Sequence, residues 1–112
     1  MPTLELPESY LHTLKQLLQA YVPDAEVWAY GSRVSGHAHK TSDLDLVLRN
    51  PADLSAPQKK LVELRAALSE SDMPILVDVM DWSRIPQAFR DEIERAHVEI
   101  QRHGSENVKR KA

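Results

Sequence analysis

The chain has 112 residues and a formal net charge of −3, and its 42% hydrophobic and 28% charged residues are ordinary for one globular domain. It lacks an apolar run of membrane-spanning length and a signal-peptide pattern, and without cysteine it can form neither disulfides nor thiolate metal sites. The acidic balance argues against direct nucleic-acid binding, and we expect a cytoplasmic protein without membrane contact.

Apolar periodicity predicts helices and strands in alternation. Leucines at helical spacing indicate a first helix that ends before Pro23, and short apolar runs bounded by turn residues indicate strands. In chain order, we predict a helix over 8–21, strands over 27–30 and 43–49, a helix over 56–70, a strand over 75–80, a helix capped by Ser83, and a short strand over 97–100.

This element order predicts a small α/β (α+β) domain, with a mixed sheet of three to four strands and helices packed mainly on one face. We assign the domain to residues 1–101 and expect residues 102–112 to form a polar, flexible tail. The pair Ser55 and Gln58 has the spacing of a capping box, so the second helix is expected to begin near residue 56.

Two carboxylates and a small turn form the most informative pattern. Asp43 and Asp45 open the second strand, where residues two apart point to the same face, roughly 6–7 Å apart. Carboxylates at this spacing repel each other unless a cation lies between them, and hard oxygen ligands suit Mg²⁺. Gly31-Ser32 follows the first strand and can open a helix whose free amides hold a phosphate. Together they predict nucleotide chemistry.

The pattern resembles the minimal nucleotidyltransferases of prokaryotes, within the DNA polymerase beta-like nucleotidyltransferase superfamily. The residues that carry the resemblance are Gly31-Ser32, ten intervening residues, and then Asp43-Leu44-Asp45. The resemblance spans about residues 7–101 and implies the polymerase-beta-like fold in its smallest form. It also implies transfer of a nucleotide from ATP with two Mg²⁺ ions, for which Asp43 and Asp45 serve as bridging ligands.

The resemblance implies a third carboxylate on a later strand, and the candidates are Asp78 and Asp81. These residues face opposite sides of a regular strand, so only one can join the site. We favour Asp78, because a carboxylate in the middle of a strand needs a cation or strong hydrogen bonds if it is buried. Asp81 at the strand end can serve in a turn or at the start of a helix.

The phosphate ligands are expected from the glycine–serine turn. Gly31 and Ser32 are the main candidates, and Arg33 could reach the triphosphate or lie exposed beside the turn. The pair His37 and His39 has metal-ligand spacing, but it lies in a polar loop without a third ligand, so solvated histidines are favoured.

Small stand-alone members of the resembled family are commonly antitoxins that adenylylate a tyrosine on a small all-helical HEPN-type nuclease toxin. The resemblance therefore implies that a partner protein presents the acceptor hydroxyl, since a chain of this length is not expected to hold an acceptor domain. Two alternatives stay open. One is a binding module that neutralises its partner by contact alone, and the other is a nucleotidyltransferase that acts on RNA ends or a small molecule.

Overall fold

The computed structural model describes residues 2–102, which contain four helices, one short 3₁₀ helix and four strands. The α-helices are α1 (Glu8–Tyr21), α2 (Ser32–Ser35), α3 (Leu61–Glu70) and α4 (Gln87–Arg95), and the 3₁₀ helix covers Trp82–Arg84. The strands are β1 (Glu26–Tyr30), β2 (Leu44–Arg49), β3 (Val77–Asp81) and β4 (Val98–Gln101). Most of the tail expected over 102–112 lies outside the described residues.

The four strands form one mixed sheet in the order β3-β2-β1-β4. Strand β1 pairs antiparallel with β2 and β4, whereas β2 and β3 are parallel. Parallel strands need a crossover connection, and α3 provides it. In this topology, β1 ends on the side of the sheet where β2 and β3 begin.

Helices pack against both faces of the sheet. Strand alternation sends Leu44, Leu46 and Leu48 to the face on which α1 and α3 pack. The opposite face carries Trp28 and Val47, which pack against the 3₁₀ helix and α4. Helix α1 has the predicted bounds, and its buried Leu14 and Leu18 lie about one turn apart on the side that packs against the sheet. Among residues 2–102, no helix is both long and apolar enough to cross a membrane.

Helix α3 begins at Leu61, five residues later than predicted. The capping box is absent, because the Ser55 amide and hydroxyl both donate to Asp53 Oδ1, over 3.0 Å and 2.7 Å. The Gln58 amide donates instead to Asp81 Oδ2 over 2.9 Å, which fixes the loop before α3 to the end of β3. The prediction of a helix from residue 56 was therefore wrong.

The region after β3 also differs from the prediction. Ser83 lies inside the 3₁₀ helix, where its amide and hydroxyl donate to Asp81 Oδ1, and it does not cap α4. Helix α4 begins at Gln87 after Pro86, without a side-chain cap. Strand β3 covers Val77–Asp81, two residues later at its start than expected.

Candidate active site

Three side chains form a row across the sheet on its Trp28 face. Tyr30 on β1 is the register partner of Asp45 on β2, and Asp45 is the register partner of Asp78 on β3. Neighbouring strands lie about 4.8 Å apart, so the two carboxylates stand side by side. Asp43 immediately precedes β2 and is exposed, as is Asp78. The topology thus brings the three predicted carboxylates together where β2 and β3 begin.

The turn after β1 requires glycine at residue 31. Gly31 has φ 82° and ψ −153°, a conformation that is essentially restricted to glycine. A Cβ atom added there would lie 2.5 Å from Asp45 Oδ2, so only a residue without a side chain allows this close approach. The chain then enters α2 at Ser32, and the first amides of a helix have no carbonyl partner within it. The predicted phosphate turn therefore directly adjoins the Asp45 carboxylate.

The electrostatics of the row show an accumulation of negative charge. Burial raises the pKa of Asp45 above its ordinary value, and repulsion from Asp78 and then Asp43 raises it further. Burial likewise raises the pKa of the Tyr30 hydroxyl, with further contributions from Asp45 and Asp78. A bound cation would relieve this repulsion.

The carboxylates fit Mg²⁺ by donor chemistry and by strand placement. Within residues 2–102, no three His, Cys, Asp or Glu side chains are already grouped closely enough to hold a metal ion. However, Asp43 and Asp78 are exposed and can change rotamer, while Asp45 is partly buried and is the register partner of Asp78. Oxygen donors from two neighbouring strands are the type of ligand that Mg²⁺ accepts, usually with waters completing the shell.

Asp81 has a different role from Asp78. It is buried at 4% exposure on the other face of β3, and it accepts hydrogen bonds from Gln58 and Ser83. The structure thus places Asp78 in the row with Tyr30 and Asp45. Asp81 instead holds the loop before α3 against the end of β3. The expectation that Asp78 could be buried was wrong, because the apolar cluster on the Trp28 face covers Val47 but leaves Asp78 exposed.

Arg33 does not lie exposed and does not extend toward the carboxylate row. Its side chain is buried at 4% exposure, and its guanidinium donates to four backbone carbonyls. These acceptors are Glu5 O at 2.8 Å, Ser42 O at 3.0 Å, Lys40 O at 3.1 Å and His39 O at 3.2 Å. The geometry offers no support for the predicted contact between Arg33 and a triphosphate.

Sequence reasoning missed Tyr30 as a residue of the site. Its ring meets Phe89 of α4 edge-on, with centroids 5.5 Å apart, and both residues line a cavity of about 350 Å³ beside Gly31. The available signal was its position, since Tyr30 directly precedes Gly31 and shares the face of Trp28. The exposed His37 instead contacts Ser35 Oγ through Nδ1 over 3.0 Å, as expected for a loop histidine.

The small mixed sheet with paired carboxylates beside a glycine turn is the arrangement expected for a nucleotidyltransferase domain. The model of the nucleotidyltransferase domain family matches residues 11–106, and the chain belongs to this family. The family assignment confirms the resemblance carried by the sequence motif and identifies the chain as a nucleotidyltransferase.

Two further similarities agree with the family. The chain is 43% identical over 100 residues to the probable protein adenylyltransferase MntA of Haemophilus influenzae, covering 88% of this chain and 84% of that protein. Its fold is similar, at a TM-score of 0.66 and 20% identity, to a chain in a crystal structure of a toxin–antitoxin with AMP-PNP. That match covers 86% of this chain and 76% of the other, and it confirms the predicted fold class.

Proposed function

We propose that this chain transfers AMP from ATP to a tyrosine hydroxyl of a partner protein, with Mg²⁺ held by Asp43, Asp45 and Asp78. The observation that carries the proposal is the register of β2 and β3, which sets Asp45 beside Asp78 next to the Gly31 turn. The probable protein adenylyltransferase activity named for the Haemophilus influenzae relative supports a protein as the acceptor.

The exposure of the carboxylates favours a large acceptor. Asp78 lies on the edge strand of the sheet and is exposed, so a side chain presented by another protein can approach it from outside. Asp45 is partly buried beside the glycine turn, where the triphosphate would lie. We therefore propose that the nucleotide binds on the Gly31 side of the row and that the acceptor approaches from the Asp78 side.

The reaction is a displacement at the α-phosphorus of ATP. The tyrosine oxygen forms a bond to this phosphorus, the bond to the β-phosphate bridging oxygen breaks, and pyrophosphate leaves with that electron pair. We assign the Asp78 carboxylate as the acceptor of the hydroxyl proton. Two Mg²⁺ ions would supply stabilisation of the negative charge that develops on the attacking and leaving oxygens.

We further propose that the partner is a small helical HEPN-type nuclease toxin and that the chain is its antitoxin in the cytoplasm, where ATP is available. The solved structural neighbour, which comes from a toxin–antitoxin with AMP-PNP, supports such a pairing. Attached AMP would add negative charge and bulk near a nuclease site and so repel RNA phosphates. A brief encounter would then produce lasting inhibition.

The test is co-expression of the chain with the protein encoded beside it, followed by intact mass spectrometry of that neighbour. We expect mass increments of one or more AMP units with the wild type and with Asp24→Asn, a control at the opposite end of β1. The increments should disappear with Asp43→Asn. If the neighbour is silenced at unchanged mass, and equally well by Asp43→Asn, then neutralisation by contact alone replaces the enzymatic proposal.

A further inference from the structure

The loop between α2 and β2 is held in place by the buried guanidinium of Arg33. Residues 36–43 connect the two elements, and the guanidinium of Arg33 binds three of the loop's carbonyls, those of His39, Lys40 and Ser42. A fourth carbonyl comes from Glu5, whose amide also donates to Arg33 O over 2.7 Å. One side chain therefore joins the N-terminal segment, the phosphate turn and the loop.

The donors of Arg33 are almost completely used in these contacts. A guanidinium has five N–H groups, and four hydrogen bonds to carbonyls leave at most one for any ligand. Within residues 2–102, Arg33 forms no ion pair, and its charge is stabilised by the four carbonyl groups that accept its hydrogen bonds. A lysine cannot replace this arrangement, because its three donors diverge from one atom and lack the planar fork.

We propose that Arg33 is a positioning residue that places Asp43 for metal binding, and that it does not contact the triphosphate. The three loop carbonyls that it binds all lie within four residues before Asp43. Asp43 itself lies outside the sheet ladder and is exposed, so the loop determines its position. The inference rests on the proposed role of Asp43 as a Mg²⁺ ligand.

The local turn adds a smaller constraint to the same loop. The Ser42 hydroxyl accepts the His39 amide over 2.8 Å, and the Ser42 amide donates to His39 O over 3.1 Å. Ser42→Ala removes one of these bonds without touching the guanidinium. It provides a second way to loosen the segment if substitution of Arg33 prevents folding.

The decisive experiment is a double-mutant cycle measured by calorimetry of AMP-PNP binding in the presence of Mg²⁺. Arg33→Lys should weaken binding by about 10- to 100-fold when Asp43 is present, the usual loss when a residue supporting a metal ligand is removed. In the Asp43→Asn background, the same change should alter affinity less than about two-fold, because the two residues act as a unit. Arg90→Lys is the matched control, since Arg90 donates to Trp82 O on another element.

Hydrogen exchange separates this inference from the proposed function, because it needs no nucleotide. Arg33→Lys and, to a smaller degree, Ser42→Ala should speed amide exchange in residues 37–43, whereas Arg90→Lys should not. Equal weakening of AMP-PNP binding in both backgrounds would mean direct phosphate contact and overturn the proposal. Unchanged exchange in the loop of a folded Arg33→Lys variant would overturn it as well.

Discussion

The two carboxylates on opposite faces of β3 differ in burial and in hydrogen bonding. On one face, Asp81 is buried and accepts hydrogen bonds from the amides of Gln58 and Ser83 and from the Ser83 hydroxyl. On the other face, Asp78 is exposed beside Asp45, and the structure gives it no hydrogen bond or ion pair within residues 2–102. The buried carboxylate with hydrogen-bond partners therefore has a structural role, and the exposed carboxylate beside Asp45 belongs to the proposed catalytic row.

Of the two carboxylates on β3, Asp78 should have the larger effect on transfer when it is replaced. Asp78→Asn removes the proposed proton acceptor while it keeps the size of the side chain, so we expect transfer to fall about 10²- to 10⁴-fold. Binding of ATP should change much less, because the Gly31 turn and Asp45 are intact. Rates of AMP transfer to the partner, measured beside calorimetry of ATP binding, would show the difference.

The comparison requires that Asp81→Asn retain transfer. Its side chain faces α3, and the sequence interval of three residues keeps it out of the row. If Asp81→Asn abolished transfer and Asp78→Asn did not, the assignment of the two faces would be reversed.

Replacement of Asp81 should instead have the largest effect on folding. Asp81→Ala leaves the partly buried amides of Gln58 and Ser83 without their carboxylate acceptor, which we expect to cost about 2–4 kcal/mol. Asp78→Ala, as its matched control, should change the free energy of unfolding by less than about 0.5 kcal/mol. Urea denaturation of both variants provides the measurement, and equal losses would contradict the distinction between the two faces.

The two glycines with positive φ sharpen the comparison at the turn. Gly31→Ala and Gly36→Ala both place a side chain in an unfavourable backbone region, at φ 82° and 85°. Only at Gly31 does the new Cβ meet Asp45 Oδ2, at 2.5 Å, whereas at Gly36 the nearest atom, Glu5 Oε2, is 3.9 Å away. We expect about 2–3 kcal/mol lost at Gly31 and about 1 kcal/mol at Gly36.

Nucleotide binding gives the second readout for this pair. Gly31→Ala should also weaken Mg²⁺-dependent ATP binding, because the carboxylate of Asp45 must move, and Gly36→Ala should not. Thermal unfolding and calorimetry of both variants are sufficient. Equal binding by the two variants would show that the close approach of Gly31 to Asp45 has no functional role.

The sequence was sufficient for features that depend on local order. Helical spacing predicted α1 to the residue, and short apolar runs predicted β1 and β2 to within one residue at each end. The odd interval between Asp78 and Asp81 correctly predicted that they face opposite sides of β3, although Asp78 is exposed and the argument that it could be buried was wrong. The catalytic roles of Asp43, Asp45 and Asp78 stay predictions, because they depend on a bound metal and nucleotide.

Features that depend on distant contacts were not predictable. The loop before α3 is anchored by Asp81, which is 23 residues from Gln58 in the chain and accepts the amide hydrogen bond that the capping box would have used. Arg33 is buried where the carbonyls of Glu5 and of the following loop accept its hydrogen bonds. The positions of backbone carbonyls cannot be predicted from residue types. Sequence patterns report side chains, and both errors arose from backbone groups.

The smallest expected effect concerns the charge of Asp45 itself. Its pKa is raised in the folded protein, chiefly by burial, so the folded state holds this proton more tightly than the unfolded chain. Protonated Asp45 therefore favours the folded state. This contribution to the free energy of unfolding is fully present below the pKa of Asp45 in the unfolded chain, and it is lost as pH rises through the pKa of Asp45 in the folded protein. At neutral pH without Mg²⁺, the charged carboxylate therefore opposes folding.

Asp45→Asn should then stabilise the metal-free protein at pH 7. Because Asp45 is only partly buried, solvent screening limits the gain to roughly 0.5 kcal/mol, or about 2–4 °C in unfolding temperature for a domain of this size. The gain should vanish near pH 3, where the wild-type carboxyl is also neutral, and Mg²⁺ should raise the unfolding temperature of the wild type more than that of the variant. A gain that is the same at both pH values would mean that the substituted amide packs better for reasons unrelated to charge. The repulsion that assigns Asp45 to a cation site would then have no measurable consequence.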